Sequence, residues 1–181
     1  RLIGLRTPAR PTQFSAMLRS WRMTGNDMTE NDKDFASLGL SPGLQQGVEA
    51  AGYAQMTPIQ AESLPAVLAG RDVIAQAPTG SGKTAAFILP ALQRVLAARS
   101  DTSVKRERGV IYGPRILVLC PTRELAMQVA KAAATYGRFV QGLRVATVVG
   151  GVPYPAQIAA LRGPLDILIS TPGRLLDHLQ T

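Results

Sequence analysis

The 181-residue chain is short of cysteine, histidine, tryptophan and long apolar runs, and each shortage closes off a class of function. A single Cys120 excludes an intrachain disulfide and points to a reducing compartment. It ends an apolar run, and the one histidine, His178, stands far along the chain, so Cys120 is expected to be a small core residue and His178 a solvated helix residue. No uncharged stretch is long and unbroken enough to cross a bilayer: the longest, 145–161, contains Gly150-Gly151 and two prolines. A soluble, cytoplasmic protein is expected. Acids are missing from the first 25 residues, which carry Arg1, Arg6, Arg10, Arg19 and Arg22. The rest has fifteen bases against twelve acids, so of the formal charge of +8 only +3 belongs to the body of the chain. Bulk charge is therefore weak evidence for a nucleic-acid partner.

What is present indicates a packed domain. A hydrophobic fraction of 46% with 18% charged residues is globular rather than disordered, and the length suits one fold. Residues 1–34 lack periodicity, mix Pro, Thr and Ser with the arginines, and do not begin with Met. They are expected to be a basic, disordered extension outside the fold, with a transit peptide or an RNA-touching arm as alternatives.

From residue 35 onward, helix and strand signals alternate. Helices are expected over 41–51, after Ser41-Pro42, and over 59–68, stopped by Gly70. A strand is expected over 72–76, then a helix over 83–98 that Pro90 should kink or interrupt. Strands over 115–120, 143–149 and 165–170 alternate with helices over 122–139, 156–161 and 172–179. Short apolar strands separated by helices predict an α/β fold, a parallel sheet with helices on both faces. Ligands in such sheets sit at the carboxyl ends of the strands. The connection over 99–114, with Lys105, Arg106 and Arg108, reads as a solvated, mobile loop.

The stretch Ala77-Pro78-Thr79-Gly80-Ser81-Gly82-Lys83-Thr84 lies between an expected strand and an expected helix, the setting of a phosphate-binding loop. Its glycines let consecutive N–H groups turn toward one anion, and the helix start adds partial positive charge. Lys83 is placed to reach the β- and γ-phosphates and the Thr84 hydroxyl to hold Mg²⁺. The general pattern opens with Gly, where this chain has Ala77.

Three further loops follow strand ends. Pro121-Thr122-Arg123 supplies a capping hydroxyl and an arginine in the first helical turn, where the dipole disfavours it unless an anion is near. Thr171-Pro172-Gly173-Arg174 repeats that chemistry, and Gly150-Gly151 ends a strand with no side chain in the way. Each is explicable alone as capping or turn chemistry. For all three at strand ends on one rim, capping or turn chemistry alone is the weaker explanation.

These motifs, together with Gly52-Tyr53-Ala54-Gln55-Met56-Thr57-Pro58-Ile59-Gln60 upstream, resemble the N-terminal RecA-like domain of DEAD-box ATP-dependent RNA helicases of bacterial type. The resemblance runs from Phe35 to Thr181 and explains Ala77, which this family ordinarily has there. It implies that 35–181 is part of a helicase ATP-binding domain of RecA-like P-loop fold, incomplete at its C-terminus. By the same resemblance Gln60 and Phe35 select adenine, while Gly80, Gly82, Lys83 and Thr84 hold ATP phosphates and Mg²⁺. Thr122, Arg123, Gly151, Thr171 and Arg174 grip the backbone of single-stranded or short duplex RNA. The family's Asp-Glu-Ala-Asp motif, its Ser-Ala-Thr motif and a second RecA-like domain with arginine fingers are expected beyond Thr181 and are required for activity. The expected protein is a monomeric RNA helicase. Two other functions remain open: a nucleotide-binding module without hydrolysis, and a DNA-directed relative.

Overall fold

The computed structural model describes residues 34–101 and 113–180. Residues 1–33 of the basic extension, and Lys105, Arg106 and Arg108, fall outside the described residues; Asp34, at its end, caps the first helical segment.

A one-turn 3-10 segment, Phe35–Leu38, leads into α1 (Pro42–Ala50) and α2 (Pro58–Leu68). Then come α3 (Lys83–Ser100), β1 (Ile116–Leu119), α4 (Arg123–Tyr136), β2 (Val145–Val148), α5 (Tyr154–Leu161), β3 (Ile167–Ser170) and α6 (Pro172–Gln180). The three strands are parallel in the order β1-β3-β2. β3 is central and every residue in it is buried. Its pleat divides the core: Ile167 and Ile169 join the larger cluster with α1, α3 and α4, while Leu168 joins Ala146, Val148 and Leu165 on the other face. Leu161 of α5 and Leu175 of α6 close that second face. The α/β class and the two covered faces are as expected.

Of the kink or interruption expected at Pro90, the interruption is absent: α3 is one helix from Lys83 to Ser100. A proline at this point forfeits one helical hydrogen bond, but Ile88, Leu89 and Leu92 around it are fully buried, and packing of an apolar face outweighs a single lost bond. The segment 72–76 forms no strand, and Ile74 is 65% exposed. Apolar composition only makes a segment fit for a sheet; a strand also needs a neighbour's backbone to pair with. Here a cavity of about 320 Å³ separates Val73 and Ala75 from Val118 and Leu119 of β1.

The strands start from a polar foot. The carboxylate of Asp166, buried just before β3, accepts from Arg99 Nε at 3.2 Å and Nη2 at 2.5 Å, and from the Arg144 N–H at 2.9 Å. Arg115 Nε lies 3.8 Å away, and Arg99 also donates to the carbonyls of Gln141 and Gly142. The Asp166 backbone continues the pairing, accepting from Arg115 and Ile116 and donating to Arg144. One carboxylate thus joins the end of α3 to the entrances of all three strands.

Tyr136, at the end of α4, packs against Tyr53 with ring centroids 6.1 Å apart. Burial, then the neighbouring Tyr53, pushes its hydroxyl up from 10.0 to about 12. A pKa raised in the folded state stabilises the fold below the unfolded value and loses that contribution as pH climbs through the folded one. The urea midpoint should therefore fall between about pH 10 and about pH 12, and fall less in Tyr136→Phe. Parallel pH profiles for the two proteins would exclude the effect.

Candidate nucleotide and nucleic-acid site

The loop from Ala77 to Gly82 is shaped by its glycines. Gly80 has φ +80° and Gly82 φ +89°, the left-handed region that costs glycine little. At Gly82 space is a second constraint, because a Cβ there would run into the Gln60 amide and come within 3.0 Å of Thr57 Oγ1. Gly82 is the N-cap of α3, has no side chain to bond the first-turn N–H groups, and is followed by no acid in that turn. The helix therefore opens with unsatisfied donors. Close by, the buried Ser81 hydroxyl has no partner. Uncapped donors and an orphaned hydroxyl around a lysine fit a polyphosphate.

Lys83 is turned onto its own loop, its Nζ donating to the carbonyls of Ala77 and, at 2.7 Å, Pro78. The ammonium thus has neutral partners that a phosphate can replace. Lys83 and Thr84 line the cavity beside β1, with Val73, Ala75, Leu119 and Cys120 on its walls. Cys120 is 3% exposed and burial pushes its thiol up, as suits a core residue. Among the described residues no cluster of His, Cys, Asp or Glu could hold a metal ion. A cation at this loop would have the Thr84 hydroxyl as its protein ligand and phosphate oxygens for the rest.

α2 is bonded to this loop. Thr57 Oγ1 donates to the Ser81 carbonyl at 2.8 Å and Gln60 Nε2 to the Gly82 carbonyl at 3.0 Å. Gln60 Oε1 accepts from the Thr57 N–H at 2.9 Å, so both ends of this 2%-exposed amide are engaged. Phe35 is 2% exposed within the larger core cluster, where its ring has no face open to a base.

The strand register brings the remaining loops to one edge. Leu119, Ser170 and Val148 lie side by side at the carboxyl ends of β1, β3 and β2, so 121–123, 171–174 and 150–151 leave the sheet together. Thr122 Oγ1 caps α4 by accepting from the Leu125 N–H at 3.2 Å. Arg123, disfavoured at a helix start, has found a carbonyl: Nη1 donates to Gly150 O at 3.0 Å. Gly151 has φ +76°, and a Cβ on it would meet that guanidinium. Pro172 opens α6, and the Arg174 guanidinium lies 4.4 Å from the centre of the Tyr154 ring.

Residues 57–181, more than half the chain, match the family model described as DEAD/DEAH box helicase. The chain belongs to the DEAD/DEAH box helicase family. Within that family it is 46% identical over 153 residues to the ATP-dependent RNA helicase DeaD of Escherichia coli (strain K12), covering 84% of this chain and 22% of the relative. It is 44% identical over 155 residues to the ATP-dependent RNA helicase RhlB of Xanthomonas campestris pv. campestris (strain B100), covering 86% and 26%. The crystal structure of a hypothetical ATP-dependent RNA helicase from Sulfolobus tokodaii superimposes with a TM-score of 0.64 at 36% identity, over 78% of this chain and 37% of that one. The chain thus spans about a quarter of the length of the curated relatives it matches. Its fold is that of a RecA-like helicase domain. No helix among the described residues is long and apolar enough to cross a membrane.

In this family member the phosphate loop, Thr84 and Gln60 come together, and the three RNA-loop candidates share one edge. Phe35 stands apart from both. Thr57 and Gln157 escaped the sequence reading, and His178 is corrected. Thr57 could have been found as a capping residue just upstream of Gln60. His178 is half-buried rather than solvated, with Nε2 3.1 Å from Gln157 Oε1, a long-range pair that no local pattern announces.

Proposed function

We propose that residues 35–181 are the ATP-binding and RNA-backbone-binding part of an ATP-dependent RNA helicase that unwinds short RNA duplexes. The observation that carries this is the uncapped start of α3 beside the Lys83 loop, in a domain whose three strands present Arg123, Gly150-Gly151 and Arg174 together at their carboxyl ends. In this reading the N–H groups from Gly80 to Thr84 embrace the phosphates and Lys83 trades its two carbonyls for β- and γ-phosphate oxygens. Mg²⁺ on the Thr84 hydroxyl would neutralise charge on those oxygens. The Gln60 amide, with donor and acceptor side by side, can pair with the adenine edge once it exchanges its partners at Thr57 and Gly82. Phe35 supports the segment that carries it from within the core. Thr122, Arg123, Gly151, Thr171 and Arg174 hold phosphate and ribose rather than base edges, so the grip is independent of sequence. The working protein is soluble, and residues 1–34 are a basic extension of this domain.

Gln60→Ala tests the adenine role. The wild-type chain should prefer an ATP analogue to its GTP counterpart, and the variant should bind both within about twofold of each other. The alanine also removes an acceptor from the Thr57 N–H and should cost about 1 kcal/mol of stability, but a ratio of affinities is insensitive to that. An undiminished preference for ATP in the variant would remove Gln60 from the site. Competition with a DNA strand of the same sequence separates this reading from a DNA-directed one, since equal affinity would mean that ribose is not read.

A further inference from the structure

We propose that His178, acting through Gln157 and Tyr154, is a positioning residue that fixes the Gly150-Gly151 loop and the Arg174 guanidinium in one relation for gripping an RNA strand. The inference rests on the reading that this edge holds RNA.

The chemistry begins at Gln157, which is 2% exposed. Its side-chain nitrogen lies 2.9 Å from the carbonyls of both Val149 and Val152, one on each side of the glycine pair. A carbonyl can only accept, so the amide nitrogen must stand there and the amide oxygen must face His178. That oxygen, 3.1 Å from His178 Nε2, in turn requires a proton on Nε2. The histidine is therefore the donor that completes the only orientation of Gln157 able to clasp the glycine loop.

From His178 the contacts run on to Arg174. The imidazole packs on Tyr154 with centroids 4.7 Å apart, and the Arg174 guanidinium lies over the same tyrosine. Arg174 and His178 are four residues apart on α6, and Tyr154 and Gln157 three apart on α5, so each helix presents its pair on one face. Arg123 binds the other end of the series through the Gly150 carbonyl. His178, Gln157 and Tyr154, which need not touch the ligand, thus join the glycine loop to Arg174, and Arg123 ties in the third loop of the edge.

Fluorescence anisotropy with a labelled oligouridylate, read across a salt series, tests this on the chain, three single variants and one double variant. His178→Phe keeps a ring beside Tyr154 and removes the donor; Tyr154→Leu removes the ring beneath Arg174; Arg174→Ala removes the cation. His178→Phe should weaken oligouridylate binding about tenfold. It should flatten the salt slope by about 0.7, the share of one phosphate contact on a single strand. Affinity for an ATP analogue should stay within about twofold, which a general loss of structure would not allow. In an Arg174→Ala background His178→Phe should cost clearly less than it does alone. Equal costs in both backgrounds, or a parallel loss of nucleotide affinity, would overturn the proposal. If His178→Phe does not fold, Tyr154→Leu carries the same expectations and the same refutation. Should Arg174→Ala leave RNA affinity intact, the RNA reading of this edge fails; if Arg174→Ala weakens it and neither His178→Phe nor Tyr154→Leu does, the positioning role alone fails.

Discussion

Lys83→Ala should lower affinity for an ATP analogue by about 100-fold or more in calorimetry, with an unchanged circular dichroism spectrum. Two charge-assisted bonds to phosphate, each worth about 1.5–3 kcal/mol, set the upper scale. Against them stands what the lysine gives up, its bonds to the Ala77 and Pro78 carbonyls. Those bonds already have a charged donor, but their acceptors are neutral, and an ammonium is held more strongly by an anionic phosphate oxygen than by a carbonyl; a net of about 3 kcal/mol corresponds to roughly 100-fold. The fold should tolerate the change, because Lys83 contributes no side chain to the core clusters. Affinity within about threefold of the unmodified chain would show that the loop does not hold a triphosphate.

Gly47→Ala should cost about 2 kcal/mol or more of stability, although helix propensity alone argues for a gain of about 1 kcal/mol. Gly47 is buried in α1 where that helix crosses the end of α4, and a Cβ built on it would overlap the Tyr136 carbonyl. The obstacle is backbone, so no rotamer can relieve it, and the helices must separate or bend; overpacking of this kind costs about 1–3 kcal/mol before the lost contacts of neighbours are added. Gly43, one turn earlier, faces the Phe139 carbonyl with 3.0 Å to a prospective Cβ, so Gly43→Ala should be the milder of the two. Urea midpoints decide both, and a Gly47→Ala protein as stable as its parent would mean that α1 and α4 do not pack as described.

These two sites differ in how far the sequence discloses them. The candidate phosphate loop is legible because its pattern is local: two glycines, a lysine and a threonine stand within eight residues. The three edge loops are legible for the same reason, since a strand end and a helix cap are neighbours in the chain. Gly47 is not. In sequence it is an unremarked residue inside a helix, and only the approach of Tyr136, distant along the chain, makes its lack of a side chain matter. The segment 72–76 shows the converse: its apolar character is visible, but pairing depends on another segment's backbone. Gln60 lies between these cases. Its place at the head of α2 is local, whereas its bond to the Gly82 carbonyl belongs to the fold.

The Asp166 cluster bears on how such a domain could move. Arg99 and Arg144 fasten the strand entrances through a buried carboxylate, and breaking such a charged, hydrogen-bonded group is costly. A hinge needs an anchored side and a yielding side, and the anchored side here is the one away from the loops. On the proposed function, a strand held at the loops would pull on the margin that is free to yield, the sheet being a plate clamped along its other border.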